Sequence, residues 1–226
     1  AVKKVVFDEK AVSMSDLLQA LKENWAGKEA LRQKCLNAPK WGNGDDYVDG
    51  IGEEFHRETE TVFEEFKDIY GTPWTQGGSA AALYNVMSSR TGATPDGRYD
   101  GDILSDAVLS PAQGKDKKGP TAVLASTSLV DAVNGFCHLL NQRFMPQFLT
   151  GKYKEVFANY VRTWADLGHW HIQFNVVDYD TLMEAQRNPE KYADLVVRVA
   201  GYSAFFVDLS EHTQNDIISR SSQCLA

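Results

Sequence analysis

Cysteine is scarce in this sequence: three occur among 226 residues, at positions 35, 137 and 224. An odd, unclustered set gives no disulfide framework and suits a reducing compartment, so free thiols and a cytoplasmic location are expected. Long hydrophobic runs are also missing. None approaches the roughly 18 residues that would read as a membrane span, and Ala1-Val2-Lys3-Lys4 leads into a short strand, unlike a signal sequence. The Ala start is expected to mark a processed chain or a piece of something longer. Basic charge is in deficit, with 23 Lys and Arg against 31 Asp and Glu, a net charge of −8 spread along the chain. That balance argues against nucleic-acid binding and against an electrostatic membrane patch.

Ordinary catalytic motifs are missing as well. Gly114-Lys115-Asp116-Lys117-Lys118-Gly119-Pro120-Thr121 has the glycine spacing of a phosphate loop. Pro120, however, stands where the lysine is required, which removes a charge and a backbone donor. His169-x-His171 could set two imidazoles on one face of a strand, and Cys137-His138 adds a soft ligand, but no complete metal set has recognisable spacing. Core or hydrogen-bonded histidines are expected there, and no metal. There is no Gly-x-Ser-x-Gly to carry a nucleophilic serine.

What is present supports a real core: 43% of residues are hydrophobic, including five Trp and eleven Phe, enough for one large or two small domains. Val2–Asp8 reads as a short strand. Ser13 and Asp16 form a capping box for a helix carrying Leu17, Leu18, Leu21 and Trp25, which Gly27 stops. A second helix is expected over Lys28–Leu36. A long one should run from Asp45-Asp46 to Tyr70, with Val48, Ile51, Phe55, Val62, Phe66 and Ile69 forming a core stripe. Residues 71–119 are dense in Gly, Pro, Asp and Ser, and such long irregular stretches are usually functional or packed on a partner. Only Ser79–Val86 could be regular there, as a strand, although its small residues could equally start a helix.

Further along, Thr121–Ser126 reads as a buried strand, and a short helix is expected around Leu129–Asn134. Gly151–Leu167 is an amphipathic helix and His171–Val177 a strand. Asp180 should cap a helix over Thr181–Arg187, and Asn188-Pro189 should start another. A strand over Leu195–Ala200 and a helix over Glu211–Arg220 close the chain. Alternating strands and helices favour an α/β architecture. The organisation read from this is a helical segment over 1–70 after its short strand, an irregular and strand-bearing segment over 71–150, and a third domain over 151–226.

One glycine needs explanation. The apolar run Val196–Val199 meets Gly201 and resumes as Ser203-Ala204-Phe205-Phe206-Val207. A glycine in such a pattern is a bulge or tight turn, or else a place where the backbone does something a side chain would forbid. Arg198-Val199-Ala200-Gly201-Tyr202-Ser203-Ala204 resembles the C-terminal signature of glycyl radical enzymes, and other segments carry the same resemblance in family order. They are Ala93-Thr94-Pro95-Asp96-Gly97-Arg98, Ser110-Pro111-Ala112-Gln113-Gly114, Lys118-Gly119-Pro120-Thr121-Ala122-Val123, Leu140-Asn141-Gln142, His171-Ile172-Gln173-Phe174-Asn175-Val176-Val177 and Asn188-Pro189-Glu190-Lys191-Tyr192. The loop looks like the branch holding diol and glycerol dehydratases, choline and isethionate lyases, arylacetate decarboxylases and fumarate-adding synthases.

The resemblance implies a radical on Gly201 within a loop of Arg198, Val199, Ala200, Tyr202 and Ser203. It implies no bound cofactor; the radical is protein-derived and installed by an activating enzyme that uses S-adenosylmethionine and a [4Fe-4S] cluster. Loss of an α-hydrogen leaves a carbon radical shared with the neighbouring amide nitrogen and carbonyl, which needs a planar centre that a Cβ would crowd. The loop should sit dry, since oxygen cleaves the chain at the radical, and Val196, Val197, Val199, Phe205 and Phe206 suit such burial. The family's thiyl cysteine, in a Gly-Cys-Val-Glu-like loop with its glutamate base, matches none of the contexts of Cys35, Cys137 or Cys224.

The expected fold is therefore the C-terminal part of a ten-stranded α/β barrel, incomplete without a larger chain. That partner would bring the thiyl cysteine, the glutamate and most of the pocket for a small organic substrate. Ser79, Ala81 and Tyr84 are expected to line that pocket, the small Ser79, Ala81 and Ala82 leaving room for a ligand. The setting implied is anaerobic cytoplasm, with a microcompartment as one variant. The alternative is a non-catalytic spare part that replaces an oxygen-cleaved glycyl domain.

Overall fold

Helices begin where the sequence can satisfy their free N–H groups. The computed structural model describes residues 1–77, 83–131, 133, 139–220 and 222–223. Helix α1 (Met14–Lys22) starts as expected at Ser13, whose hydroxyl accepts from the Asp16 N–H. Helix α2 (Glu29–Asn37) follows. Helix α3 (Asp46–Glu64) is capped by Asp45, which accepts from the Tyr47 N–H. Helix α4 (Leu83–Ser88) resolves the strand-or-helix ambiguity in favour of helix over those residues. Helix α5 (Pro120–Thr127) has Gly119 at φ 85 before it and proline in its first turn. Then come β1 (Asn141–Phe144), α6 (Tyr153–Asp166), β2 (Gln173–Val176) and α7 (Tyr179–Arg187). Strands β3 (Val196–Arg198) and β4 (Ser203–Phe205), helix α8 (Glu211–Ser219) and β5 (Ser222–Gln223) complete the order.

Several expectations fail for physical reasons. Lys3–Asp8 is a π-helix in place of a strand, and its adjacent Val5 and Val6 are both buried. A strand would point them to opposite faces. The strand expected over Thr121–Ser126 is helix α5: Val123, Leu124, Ser126 and Thr127 are buried while Thr121 and Ala125 are exposed, a helical spacing that a run of small and apolar residues does not display in the sequence. Residues 129–131 form no helix, and Ala132 and Asn134 lie outside the described residues. Asp178, not Asp180, caps α7, accepting from the Thr181 N–H at 2.7 Å; this bond holds its carboxyl below the usual range. Pro189–Tyr192 is a short 3-10 turn, and the Asn188 side chain caps nothing.

The long third helix stops six residues early. Asp68 takes over, its carboxylate accepting from the N–H groups of Tyr70 and Thr72, and the chain doubles back so that Trp74 donates to the Phe66 carbonyl. Nor is its apolar stripe core. Ile51, Phe55, Val62, Phe66 and Ile69 are all exposed, Ile69 at 91%.

Contacts divide the chain into two compact units, Ala1–Lys40 with Leu83–Leu104, and Trp41–Ala82 with Ser105–Ala226. The first packs Val5, Val6, Leu17, Ala20, Trp25, Cys35 and Ala38. Trp25 Nε1 donates to the Arg98 carbonyl within it. The second contains a parallel sheet of order β2-β1-β5, with Asn141 opposite Gln173 and Phe144 opposite Val176. One face of that sheet is aromatic: Phe144 has the rings of Phe148, Phe157, Tyr160 and Phe174 within 5.2 to 6.3 Å, each pair contributing about 0.5–1.5 kcal/mol beyond its burial. Among the described residues no helix is long and apolar enough to cross a membrane.

Candidate functional site

The opposite face of the parallel sheet is polar, although it too is buried. Asn141 and Arg143 on β1 stand in register with Gln173 and Asn175 on β2, and all but the partly buried Asn141 are at most 7% exposed. Buried parallel strands are ordinarily apolar on both faces, so this alternation marks a site. Each side chain holds a backbone or charged partner. Arg143 Nη1 donates to the carbonyls of Ile217 and Ile218 at the end of α8, where a cation also meets the helix dipole. Asn141 donates to the Asp106 carboxylate.

Asn175 and Gln173 grip the loop that bears Gly201. Asn175 makes two bonds of 2.7 Å to one residue, Nδ2 donating to the Arg198 carbonyl and Oδ1 accepting from the Arg198 N–H. It thereby acts as a side-chain substitute for a strand partner. Gln173 Oε1 accepts from the Gly201 N–H at 3.3 Å.

The loop is an antiparallel hairpin of β3 and β4, with Val196 opposite Phe205, Val197 opposite Ala204 and Arg198 opposite Ser203. Val199 N–H donates to the Tyr202 carbonyl, leaving Ala200 and Gly201 as its tip. Gly201 has φ +78, the left-handed region that favours glycine. A Cβ built there would meet nothing within 4 Å among the described residues, so backbone conformation, not their packing, asks for glycine.

The expected dryness of the loop is met on one side only. Val197, Val199, Ala200 and Phe206 are buried, three of them in a cluster with Leu182, Ala185, Ile217 and Ile218. Gly201 itself is exposed, as are Val196, Tyr202, Ser203 and Phe205. A hairpin tip has only one apolar layer beneath it, and among the described residues nothing covers its outer face.

Beside the hairpin lies a buried charge cluster. Arg220 pairs with Asp106 at 3.2 Å and with Asp216 at 3.0 Å, and its Nη1 donates to the same Arg198 carbonyl that Asn175 holds. Burial pushes the Asp106 carboxyl up, and the Arg220 guanidinium opposes it. Burial and the neighbouring Arg220 both push the Arg143 pKa down. A cavity of about 30 Å³ opens between Asp106, Ser110, Gln113, Arg143, Asn175 and Arg220, room for a water or two.

The other candidates disperse. Ser79 and Ala81 lie outside the described residues, as do Cys137, His138 and Cys224. Tyr84 is on α4 with a buried ring, in the unit that does not contain Gly201. Cys35 is fully buried, and desolvation raises its thiol pKa, which suits an inert core thiol. His169 bonds to the Thr127 hydroxyl and the Trp164 carbonyl, and His171 to Gln173. Sequence reasoning did not single out Gln173, Asn175 or Arg220. A signal for the first two existed, the polar alternation in Gln173-Phe174-Asn175-Val176.

A family model described as "Glycine radical" matches residues 106–207, and one described as "Pyruvate formate lyase-like" matches residues 1–88. The isethionate sulfite-lyase of Nitratidesulfovibrio vulgaris is 39% identical over 232 residues, an alignment covering 98% of this chain and 27% of that protein. The trans-4-hydroxy-L-proline dehydratase of Clostridioides difficile is 40% identical over 232 residues, covering 99% of this chain and 28% of the enzyme. Among solved structures, the glycerol-bound B12-independent glycerol dehydratase from Clostridium butyricum superposes with a TM-score of 0.92 at 39% identity, over 99% of this chain and 29% of its own. The chain thus spans little more than a quarter of the relatives it matches, and its α/β fold is a part of the barrel those enzymes share. A Gly201 hairpin tip held by a polar sheet face, two matching family models and these relatives together place the chain in the glycyl radical enzyme family.

Proposed function

We propose that Gly201 stores the radical of a glycyl radical enzyme and passes it to a cysteine that lies outside these 226 residues, on a larger chain or a longer polypeptide. The observation that carries this reading is the intact Arg198-Val199-Ala200-Gly201-Tyr202 loop, turned at positive φ with its glycine N–H held by Gln173. In the transfer the Gly201 carbon takes the hydrogen of the cysteine thiol, which restores the Cα–H bond and leaves a thiyl radical. The thiyl abstracts hydrogen from substrate and regains it at the end of turnover. A captodative carbon is a fit store, because its spin is shared between an electron-donating amide nitrogen and an electron-withdrawing carbonyl.

Isethionate, trans-4-hydroxy-L-proline and glycerol, which the relatives' names and descriptions give, are all small polar organic molecules. We place this protein's substrate in that class, with lyase, dehydratase or decarboxylase chemistry. The radical would be installed by a separate activating enzyme using S-adenosylmethionine and an iron–sulfur cluster. The exposed outer face of the loop supports a covering surface supplied from elsewhere, as does the exposed stripe of α3.

The test is anaerobic incubation with such an activating enzyme, followed by electron paramagnetic resonance. A glycyl doublet, and a chain cut at Gly201 on exposure to air, are expected. Absence of both would refute the assignment.

A further inference from the structure

The Gly201 N–H can only donate, so it fixes which end of the Gln173 amide faces it. Gln173 Nε2 lies 3.2 Å from His171 Nε2. An amide nitrogen can only donate, so the imidazole Nε2 is the acceptor and the ring proton sits on Nδ1. With its nitrogen committed to His171, the Gln173 amide presents its oxygen to the Gly201 N–H, at 3.3 Å. The result is a chain of one polarity, Gly201 N–H to Gln173 oxygen and Gln173 N–H to His171. Gln173 is 7% exposed, so water competes poorly for either end. Asn175, two residues along the same face of β2, fixes the hairpin in the register that makes this contact possible.

This geometry bears on the radical itself. The spin of a Gly201-centred radical is spread by donation from the glycine nitrogen toward the α-carbon. An acceptor on the N–H draws the proton outward and leaves the nitrogen a better donor, which stabilises the radical and removes spin from the carbon. The Gly201 N–H, which can only donate, takes the Gln173 amide oxygen, and His171 holds the amide nitrogen on the other side.

We propose that Gln173 is a positioning residue for the Gly201 radical, its amide oxygen holding and polarising the glycine N–H while His171 anchors the amide nitrogen. The inference rests on the assignment of the radical to Gly201. It predicts that Gln173 acts on the spin distribution, which a residue holding the loop only mechanically would leave unchanged.

The experiment uses the complete enzyme, activated anaerobically, with 15N-glycine incorporated and the doublet recorded by electron paramagnetic resonance. Gln173→Met keeps the side-chain volume and removes the acceptor. Its doublet should show shifted α-proton and 15N hyperfine couplings, with on the order of five-fold less radical at matched activation, the size expected for one lost hydrogen bond. Gln173→Glu keeps an acceptor and should return both toward the unsubstituted values. A Gln173→Met doublet with unchanged couplings would overturn the proposal. So would loss of the doublet in both variants, which would mark Gln173 as structural only. If Gln173→Met gives no doublet and Gln173→Glu restores it, the acceptor is required and the proposal stands. If the unsubstituted enzyme gives no glycyl doublet, the Gly201 assignment is what has failed.

Discussion

Gly201 and His171 show how much depends on single residues. Gly201→Ala places a Cβ at φ +78, which costs about 1–2 kcal/mol, yet meets no atom within 4 Å among the described residues. The variant should therefore fold, with a modestly lowered denaturation midpoint, while losing both the glycyl doublet and the air-induced cut. Unfolding titrations and mass spectrometry of the air-exposed chain check the two halves separately. His171 makes a pH prediction. Burial, and then the nearby Arg198 charge, push its pKa below the ordinary value. Below about pH 6.5 the unfolded chain takes up a proton that the folded one resists. Stability present above that pH is therefore lost as pH falls through it. Comparing urea unfolding at pH 7.5 and pH 5 should show a smaller drop in His171→Asn than in the unsubstituted protein.

Among the elements, the hairpin is held by side chains where a strand partner would ordinarily do the work. Asn175→Ala removes two bonds to Arg198, whose part-buried N–H loses its side-chain acceptor while its carbonyl keeps only the Arg220 guanidinium. It should cost about 1–3 kcal/mol and speed amide exchange at Arg198 more than in α6, as hydrogen-exchange mass spectrometry would show. The charge cluster beneath it is more sensitive. Arg220→Met leaves Asp106 and Asp216 buried without their guanidinium, at a cost of about 3–5 kcal/mol. Denaturant unfolding that shifted by less than 1 kcal/mol would mean these carboxylates find other partners.

Over the whole molecule the apolar surface is divided between what this chain buries and what it leaves out. The stripe read from Val48 to Ile69 has the helical period of a core face, but Ile51, Phe55 and Val62 on α3 are exposed, as are Phe66 and Ile69 beyond its end. Periodicity reports that a face is apolar and not which surface covers it. Phe55→Glu with Val62→Glu should change the stability of these 226 residues by less than about 0.5 kcal/mol. The same pair should lower the thermal stability of the complete enzyme, if this face is where the remainder packs. Equal effects in both, measured by thermal unfolding, would contradict that.

The sequence by itself determined the helix starts that rest on local caps, at Ser13 and Asp45, because a cap needs only the residues beside it. It also determined the family, through the Arg198–Ala204 loop and the other ordered segments. It misread Val5-Val6, Thr121–Ser126 and the cap of α7, where tertiary burial or a competing cap outweighed local pattern. Tertiary structure alone decided that Gln173 and Asn175 face the Gly201 loop. Those contacts depend on a register with β1 and on residues more than twenty positions away, and pairings at that range leave no periodic trace in a chain. It also decided that Gly201 stands exposed at a hairpin tip. The dry setting a radical needs is a property of the surface that closes over it, and no residue of the loop can state whether that surface is present.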